Sequence, residues 1–236
     1  MFPSTQHVIE SINKHGNDFF NNMSHQDLSA RNVASIEEYR TRYINSIRQF
    51  SENEKDKVIE CVEKIDDICH KFKNFLNIDW KFGKVCCNIE NGYPHTLGDI
   101  IILPSLFWNS SKEHQLETIA HEKIHVFQRQ FPLLTNILII QFWKYDILRM
   151  KSKELNIRNN PDINNIIYIR NGDLCYQTYK KNPKSLRDSS LVVSCGKEKY
   201  EHPYEKMAYT IADIIANNSI KDQDYIETMK WIRLYF

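Results

Sequence analysis

His121-Glu122-Lys123-Ile124-His125 is the stretch on which the reading of this chain turns. On an α-helix its spacing brings both imidazoles to one face, where they can share a Zn²⁺, and leaves the Glu122 carboxylate beside them to act on a metal-bound water. Ser110, with Glu113 three residues later, makes a capping box that predicts the start of such a helix, and Pro132 predicts its end. Leu116, Ile119, Ala120, Ile124 and Phe127 then form one apolar stripe, with His121 and His125 along its edge. The pair is expected where core meets cleft. The alternative is two structural histidines beside a chance glutamate.

Outward from this helix, Trp80 to Ile89 reads as β-like, and Gly98 to Leu103 carries the apolar run Ile100-Ile101-Ile102-Leu103, closed by Pro104. Downstream, Ile166 to Arg170 and Asp173 to Thr178 flank Asn171-Gly172, a strong hairpin signal. A further strand is expected over Leu191 to Cys195, then a helix from Pro203 to about Asn217 and a last one near Tyr225 to Tyr235. In the first third, Val58, Val62, Ile65, Cys69, Phe72 and Leu76 recur at steps of four and three, which predicts an amphipathic helix. Ile36 to Phe50 is a second candidate helix. The heptad pattern does not persist, so a helical wall is expected here and not a coiled-coil arm.

No repeat, low-complexity tract or flexible linker divides the 236 residues. The expectation is a single α+β domain over 1–236, with a helical N-terminal portion over 1–78 and a portion over 79–236 that carries a small mixed or antiparallel sheet and the motif helix. A composition of 42% apolar and 26% charged residues suits a folded soluble domain. The net charge of +1 supplies no field that would draw the protein to nucleic acid or a membrane surface, so neither is an expected partner. Met1 to Thr5 lacks a basic region followed by an apolar one, and the most apolar stretch, Ile137 to Phe142, is too short to span a bilayer. An intracellular protein is expected. The six cysteines form no CxxC pair and read as reduced thiols.

A catalytic zinc takes three protein ligands and keeps a fourth position for water, so the motif needs one more. A third histidine six residues beyond His125 is not there, since Phe131 occupies that position and Gln128 stands where the accompanying glycine is needed. The best candidate is Glu205 in the segment His202-Pro203-Tyr204-Glu205. Pro203 suits a first helical position, which puts Glu205 in the first turn of a new helix. Ala208, Ala212 and Ala216 share its side, while Met207, Ile211, Ile214 and Ile215 cover the others. A helix apolar on nearly all sides is buried, and its alanine stripe lets a partner helix approach closely. A carboxylate on that stripe needs a compensating zinc or arginine. A structural ion pair or cap is the competing role for Glu205, and His202, Glu201 and Asp213 are reserve ligands.

His121 to His125 followed by a distant Pro-x-Glu-x-x-Ala helix resembles the zincin superfamily, specifically the gluzincin-like metallopeptidases, over residues 95–131 and 202–216. The resemblance implies a zincin-like fold in which the HExxH helix packs against a second ligand-bearing helix. It implies one Zn²⁺ per chain held by His121, His125 and Glu205, with Glu122 as the catalytic base. Gluzincins often place an aspartate four residues after the ligand glutamate, and Tyr209 stands there instead.

The expected activity is hydrolysis of a peptide or protein substrate. Glu122 takes a proton from a zinc-activated water and passes it to the leaving amine. For the donor that faces developing oxyanion charge, Tyr209 is the first choice, with Tyr204 and His202 behind it. Asp213 and Asp99 are candidates to orient the histidines. A backbone edge at Gly98 to Ile102 would bind an extended peptide by strand addition, with an ordinary edge or core strand as the equal alternative. The rivals are a non-catalytic zincin-like binding or regulatory protein, a deformylase-like hydrolase drawing on Cys86 or Cys87, and an interaction protein with merely structural histidines.

Overall fold

The N-terminal portion winds into helices because serines open them. Ser4, Ser24, Ser35 and Ser51 each accept a hydrogen bond from the backbone N–H three residues on, starting α1 (Thr5–His15), α3 (His25–Ala30), α4 (Ile36–Asn45) and α5 (Glu52–Ile68), with α2 (Asn17–Asn21) between the first two. The computed structural model describes residues 1–70, 72–148, 156–193, 199–216 and 222–235. Two helices are shorter than their periodicity predicts. The helix expected over Ile36 to Phe50 stops at Asn45, because Ile47–Arg48 leaves it to become β1 of a sheet. The helix expected through Leu76 stops at Ile68, where a turn closed by Phe72 N–H on Cys69 O (2.7 Å) intervenes. The short α6 (Lys73–Leu76) then carries the same apolar stripe onward.

Two small four-stranded sheets complete a mixed α+β architecture. In the first, β2 (Phe82–Val85), β3 (His95–Leu97) and β4 (Ile100–Pro104) join β1 in the order β1-β2-β4-β3, with β2 and β4 parallel and the outer pairs antiparallel. Side chains alternate between the faces of a strand, and here each face has its own cover. Val85, Leu97, Ile100 and Ile102 pack with Val8, Ile12, Phe20, Tyr39 and Tyr43 of the N-terminal helices. Phe82, Ile101 and Leu103 pack on the other side with the central helices.

The unbroken apolar run of β4 follows from burial on both faces. That burial corrects the expectation of an exposed edge at Gly98 to Ile102. β4 is an interior strand paired on both sides, and the edge is β3, whose Thr96 N–H is already taken by Asp162 Oδ1 (2.6 Å).

The second sheet is antiparallel, in the order β5 (Asp146–Leu148), β6 (Ile167–Arg170), β7 (Asp173–Tyr179), β8 (Ser189–Val193). Asn171 and Gly172 both take positive φ, 53° and 82°, and Arg170 pairs with Asp173, which is the two-residue hairpin turn that their identities predict. The last part of the strand expected to Cys195, and Asn217 at the end of the next helix, lie outside the described residues.

The motif helix is α7 (Lys112–Gln130), and its cap is Ser111, one residue later than expected. Ser110 is instead committed to the preceding turn, where its hydroxyl donates to Phe107 O (2.7 Å). Pro132 does end α7, since the residue before a proline is pushed out of the helical region and Phe131 sits at φ −123° and ψ 60°. Pro132 then starts the short α8 (Pro132–Asn136). α9 (Pro203–Ile215) and α10 (Gln223–Tyr235) close the fold, with Trp231 of α10 edge-on to Phe127 of α7 at 6.0 Å. Among the described residues no helix is long and apolar enough to cross a membrane.

The two halves of the molecule are joined by a buried ion pair. Arg31 grips Glu90 through two bonds, Nη2 to Oε2 at 2.7 Å and Nε to Oε1 at 2.8 Å, and Tyr39 donates to the same carboxylate. Burial pushes the Glu90 carboxyl up, but the Arg31 charge outweighs it and holds the group below its ordinary value. A carboxyl so depressed contributes stability above its unfolded-state pKa and loses it as pH falls through the folded-state value. Arg31→Met should strand the Glu90 charge and cost about 3–5 kcal/mol at neutral pH. The deficit in urea unfolding should shrink as the pH is lowered, and an equal deficit at all pH values would contradict this role for the pair.

Candidate metal centre

The α7–α9 contact is close because the residues between the helices are small. Ala120 of α7 and Ala208 and Ala212 of α9 are all buried, while Ala216, the last of the expected stripe, caps α9 and is half-buried. This approach brings three ligand-type atoms together. His121 Nε2 and His125 Nε2 lie 3.0 Å apart, and Glu205 Oε2 is 3.4 Å from the first and 3.8 Å from the second. Ligands about 2.0–2.1 Å from a tetrahedral Zn²⁺ stand about 3.3 Å from each other. The observed triangle brackets that value. A buried group of His121, His125 and Glu205 that can hold a metal ion is therefore present.

Hydrogen bonds fix which atoms face the centre. Gln128 Nε2 donates to Tyr204 O (2.9 Å), so its Oε1 faces His125 and must accept from the Nδ1–H there (2.9 Å). The proton on Nδ1 leaves the His125 Nε2 lone pair for a metal. On Glu205, Oε1 accepts from Asn160 Nδ2 (2.9 Å), which leaves Oε2 toward the imidazoles. Lys123, between the two histidines in the chain, is carried to the opposite side of α7. Its ammonium lies 3.7 Å from the centre of the Trp80 ring, and burial pushes its pKa down to about 8.

The electrostatics suit a cation. Burial raises the Glu205 carboxyl, yet His125, His121 and Arg158 together hold it well below the carboxylate range. Burial is also the main influence on His125, and it lowers that pKa despite the nearby Glu205 charge. Glu122 is pushed well above its ordinary value, first by burial and then by the Asp162 and Glu205 carboxylates. Its Oε2 is buried with no hydrogen-bond partner, as is His121 Nδ1. A buried carboxylate oxygen without a donor is costly, and a cation with its water is the kind of group that would satisfy it. Two imidazole nitrogens, one carboxylate oxygen and an orphaned carboxylate alongside fit a zinc ion.

A cleft of about 800 Å³ opens onto His121, Glu122 and Glu205. His121 thus borders the cleft, while His125 is fully buried behind it. Tyr209 stands at the mouth, 48% exposed, with its ring edge-on to His121 at 4.3 Å and stacked on Tyr200 at 5.3 Å.

The other sequence candidates have different occupations. His202 caps α9, its Nδ1 accepting from Tyr204 N–H and its Nε2 donating to Ile166 O, and burial pushes its pKa down to about 4. Tyr204 is buried beside it, and its carbonyl serves Gln128. Glu201 is paired with Arg158 at 2.5 Å. Asp99 is paired with Lys81 at 2.6 Å and does not orient a histidine, while Asp213 lines the cleft. Neither Cys86 nor Cys87 belongs to the converging group.

Two orienting residues escape a reading of the sequence. Gln128 had a usable signal, since it lies three residues after His125 on the same helix face. Asn160 had none, because it arrives from a remote loop.

Comparison with protein-family models, curated proteins and solved structures finds no match for this chain.

One equivalent of Zn²⁺ should raise the unfolding temperature of the metal-free protein, with a stabilisation of about 2.7 kcal/mol when free zinc is a hundredfold above Kd. His125→Ala and Glu205→Ala should abolish that gain. Retention of the full zinc-dependent shift in either variant, followed by differential scanning calorimetry, would rule out this ligand set.

Proposed function

We propose that this chain is a zinc-dependent metallopeptidase of the gluzincin-like kind, with a zincin-like arrangement of α7, α9 and the first sheet. The observation that carries the reading is the convergence of His121, His125 and Glu205 beside Glu122, whose Oε2 has no hydrogen-bond partner, with His121, Glu122 and Glu205 lining an open cleft. Zinc bound there would lower the pKa of its water toward neutrality and polarise a carbonyl oxygen.

The chain's own groups do the rest. Glu122 Oε2, free of any hydrogen bond, is the atom that takes the proton from the attacking water and delivers it to the departing amine nitrogen. Gln128 keeps the His125 proton on Nδ1, and Asn160 keeps Glu205 Oε2 turned inward. Tyr209, at the mouth of the cleft against His121, is the proposed hydroxyl donor to the oxyanion. The substrate is a peptide or protein segment held in the cleft and not added to β4, which is paired on both sides.

A non-catalytic zincin-like protein would have no use for Glu122. A buried carboxylate without a partner is a burden on folding that a purely structural metal site does not require. Glu122→Gln removes the proton acceptor and keeps the shape. It should retain one zinc per chain and lower peptide hydrolysis by at least 10²–10⁴-fold, the usual contribution of general acid–base catalysis. Tyr209→Phe should lower kcat by a smaller factor with zinc content unchanged. Measured turnover on a peptide library that is equal in wild type and Glu122→Gln would overturn the assignment.

A further inference from the structure

The loop of residues 158–162 is fastened at every position. Arg158 holds Glu201 (2.5 Å), the Asn159 N–H donates to Asp27 Oδ1 (2.9 Å) and Pro161 O accepts from Arg129 (2.7 Å). Asp162 is bound to the Thr96 N–H of β3. At the centre of this strap is Asn160. Its Nδ2 donates to Glu205 Oε1 and to Glu201 Oε1, both at 2.9 Å, while its Oδ1 accepts from the Asp162 N–H at 3.0 Å. A side-chain amide has two N–H donors on its nitrogen and one carbonyl oxygen. All three functions are committed here, so the amide has a single orientation.

We infer that Asn160 is a positioning residue for the metal: one amide bridges two buried carboxylates, fixes the rotamer of Glu205 and presents its Oε2 to the ion. This inference rests on the reading of Glu205 as a ligand. Without the bridge, Glu201 and Glu205 would face each other as like charges in a buried setting, and Glu205 would lose the bond that sets its torsions. Arg158 pairs with Glu201 and its charge also reaches Glu205, while the amide supplies the hydrogen bond to Glu205 Oε1. Among the described residues no hydrogen bond runs from Asn160 to either histidine, so the amide acts on the site through Glu205, while the Asp162 charge reaches His125 only through space.

The test is the zinc dissociation constant of the full chain, read by competition with a chromophoric chelator, alongside the unfolding temperature of the metal-free protein. Partners of metal ligands typically change affinity by about 10–100-fold, and Asn160→Ala should weaken zinc binding within that range. Asn160→Asp keeps the shape but turns the donor into a third carboxylate, and it should weaken binding at least as much. Asn160→Ser keeps one donor and should fall between alanine and wild type, and it carries the test if the aspartate variant does not fold. Ile12→Val, in the distant N-terminal core, should lower the unfolding temperature and leave the zinc constant unchanged. Wild-type affinity in both Asn160→Ala and Asn160→Asp would overturn the positioning role, as would equal weakening by Ile12→Val. A wild-type chain that takes up no zinc would instead overturn the ligand set on which the inference stands.

Discussion

The constraint on which the rest of this structure depends is the burial of the Glu205 carboxylate against two imidazoles at the α7–α9 contact. A carboxylate removed from water without a partner costs several kcal/mol, and nothing apolar can repay it. The surroundings of Glu205 are accordingly specialised. Two histidines, one amide and a nearby arginine converge on a group that belongs to the first turn of a helix that also buries Met207, Ala208, Ile211, Ala212 and Ile215. The alanines permit the approach, and the polar groups compensate for what the approach brings together.

The rest of the fold serves that contact. The first sheet lies between the N-terminal helices and the central ones, so its four consecutive apolar residues at 100–103 are needed on both faces. β3 anchors the strap through Thr96, and the strap in turn reaches α9. The Arg31–Glu90 pair ties the N-terminal cover to the wall of the cleft. Glu122 faces the same centre. Its Oε2 is buried without a hydrogen-bond partner, as are Glu201 Oε2 and Arg158 Nε nearby, but Glu201 and Arg158 are paired with each other.

What was legible in the sequence was whatever a local rule encodes. The HExxH spacing, the Pro132 stop, the Asn171-Gly172 turn and the Pro203 start each rest on interactions between residues a few positions apart, and each appears where expected. Glu205 was legible for a different reason: an acidic residue on a small-residue stripe is a conflict that only a partner resolves. The misplaced features depend on tertiary competition. Ile47–Arg48 continues a helical pattern but is drawn into a sheet, and Ser110 matches a capping box but is taken by the turn before it. The Ile100 to Leu103 run was equally suited to an edge or an interior strand. Only the helices on both faces decide between them. Asn160 and Arg158 could not be found at all, because they come from a loop about forty-five residues distant in the chain from the Glu205 carboxylate that Asn160 contacts.

The central claim is that α7 and α9 meet around one divalent ion through two imidazole nitrogens and one carboxylate oxygen. X-ray absorption at the zinc edge of the loaded protein tests it most directly. The expected spectrum has a shell of nitrogen and oxygen at about 2.0–2.1 Å with the multiple-scattering signature of two imidazoles, and no sulfur. A sulfur shell at about 2.3 Å, or an oxygen-only shell without imidazole scattering, would contradict it.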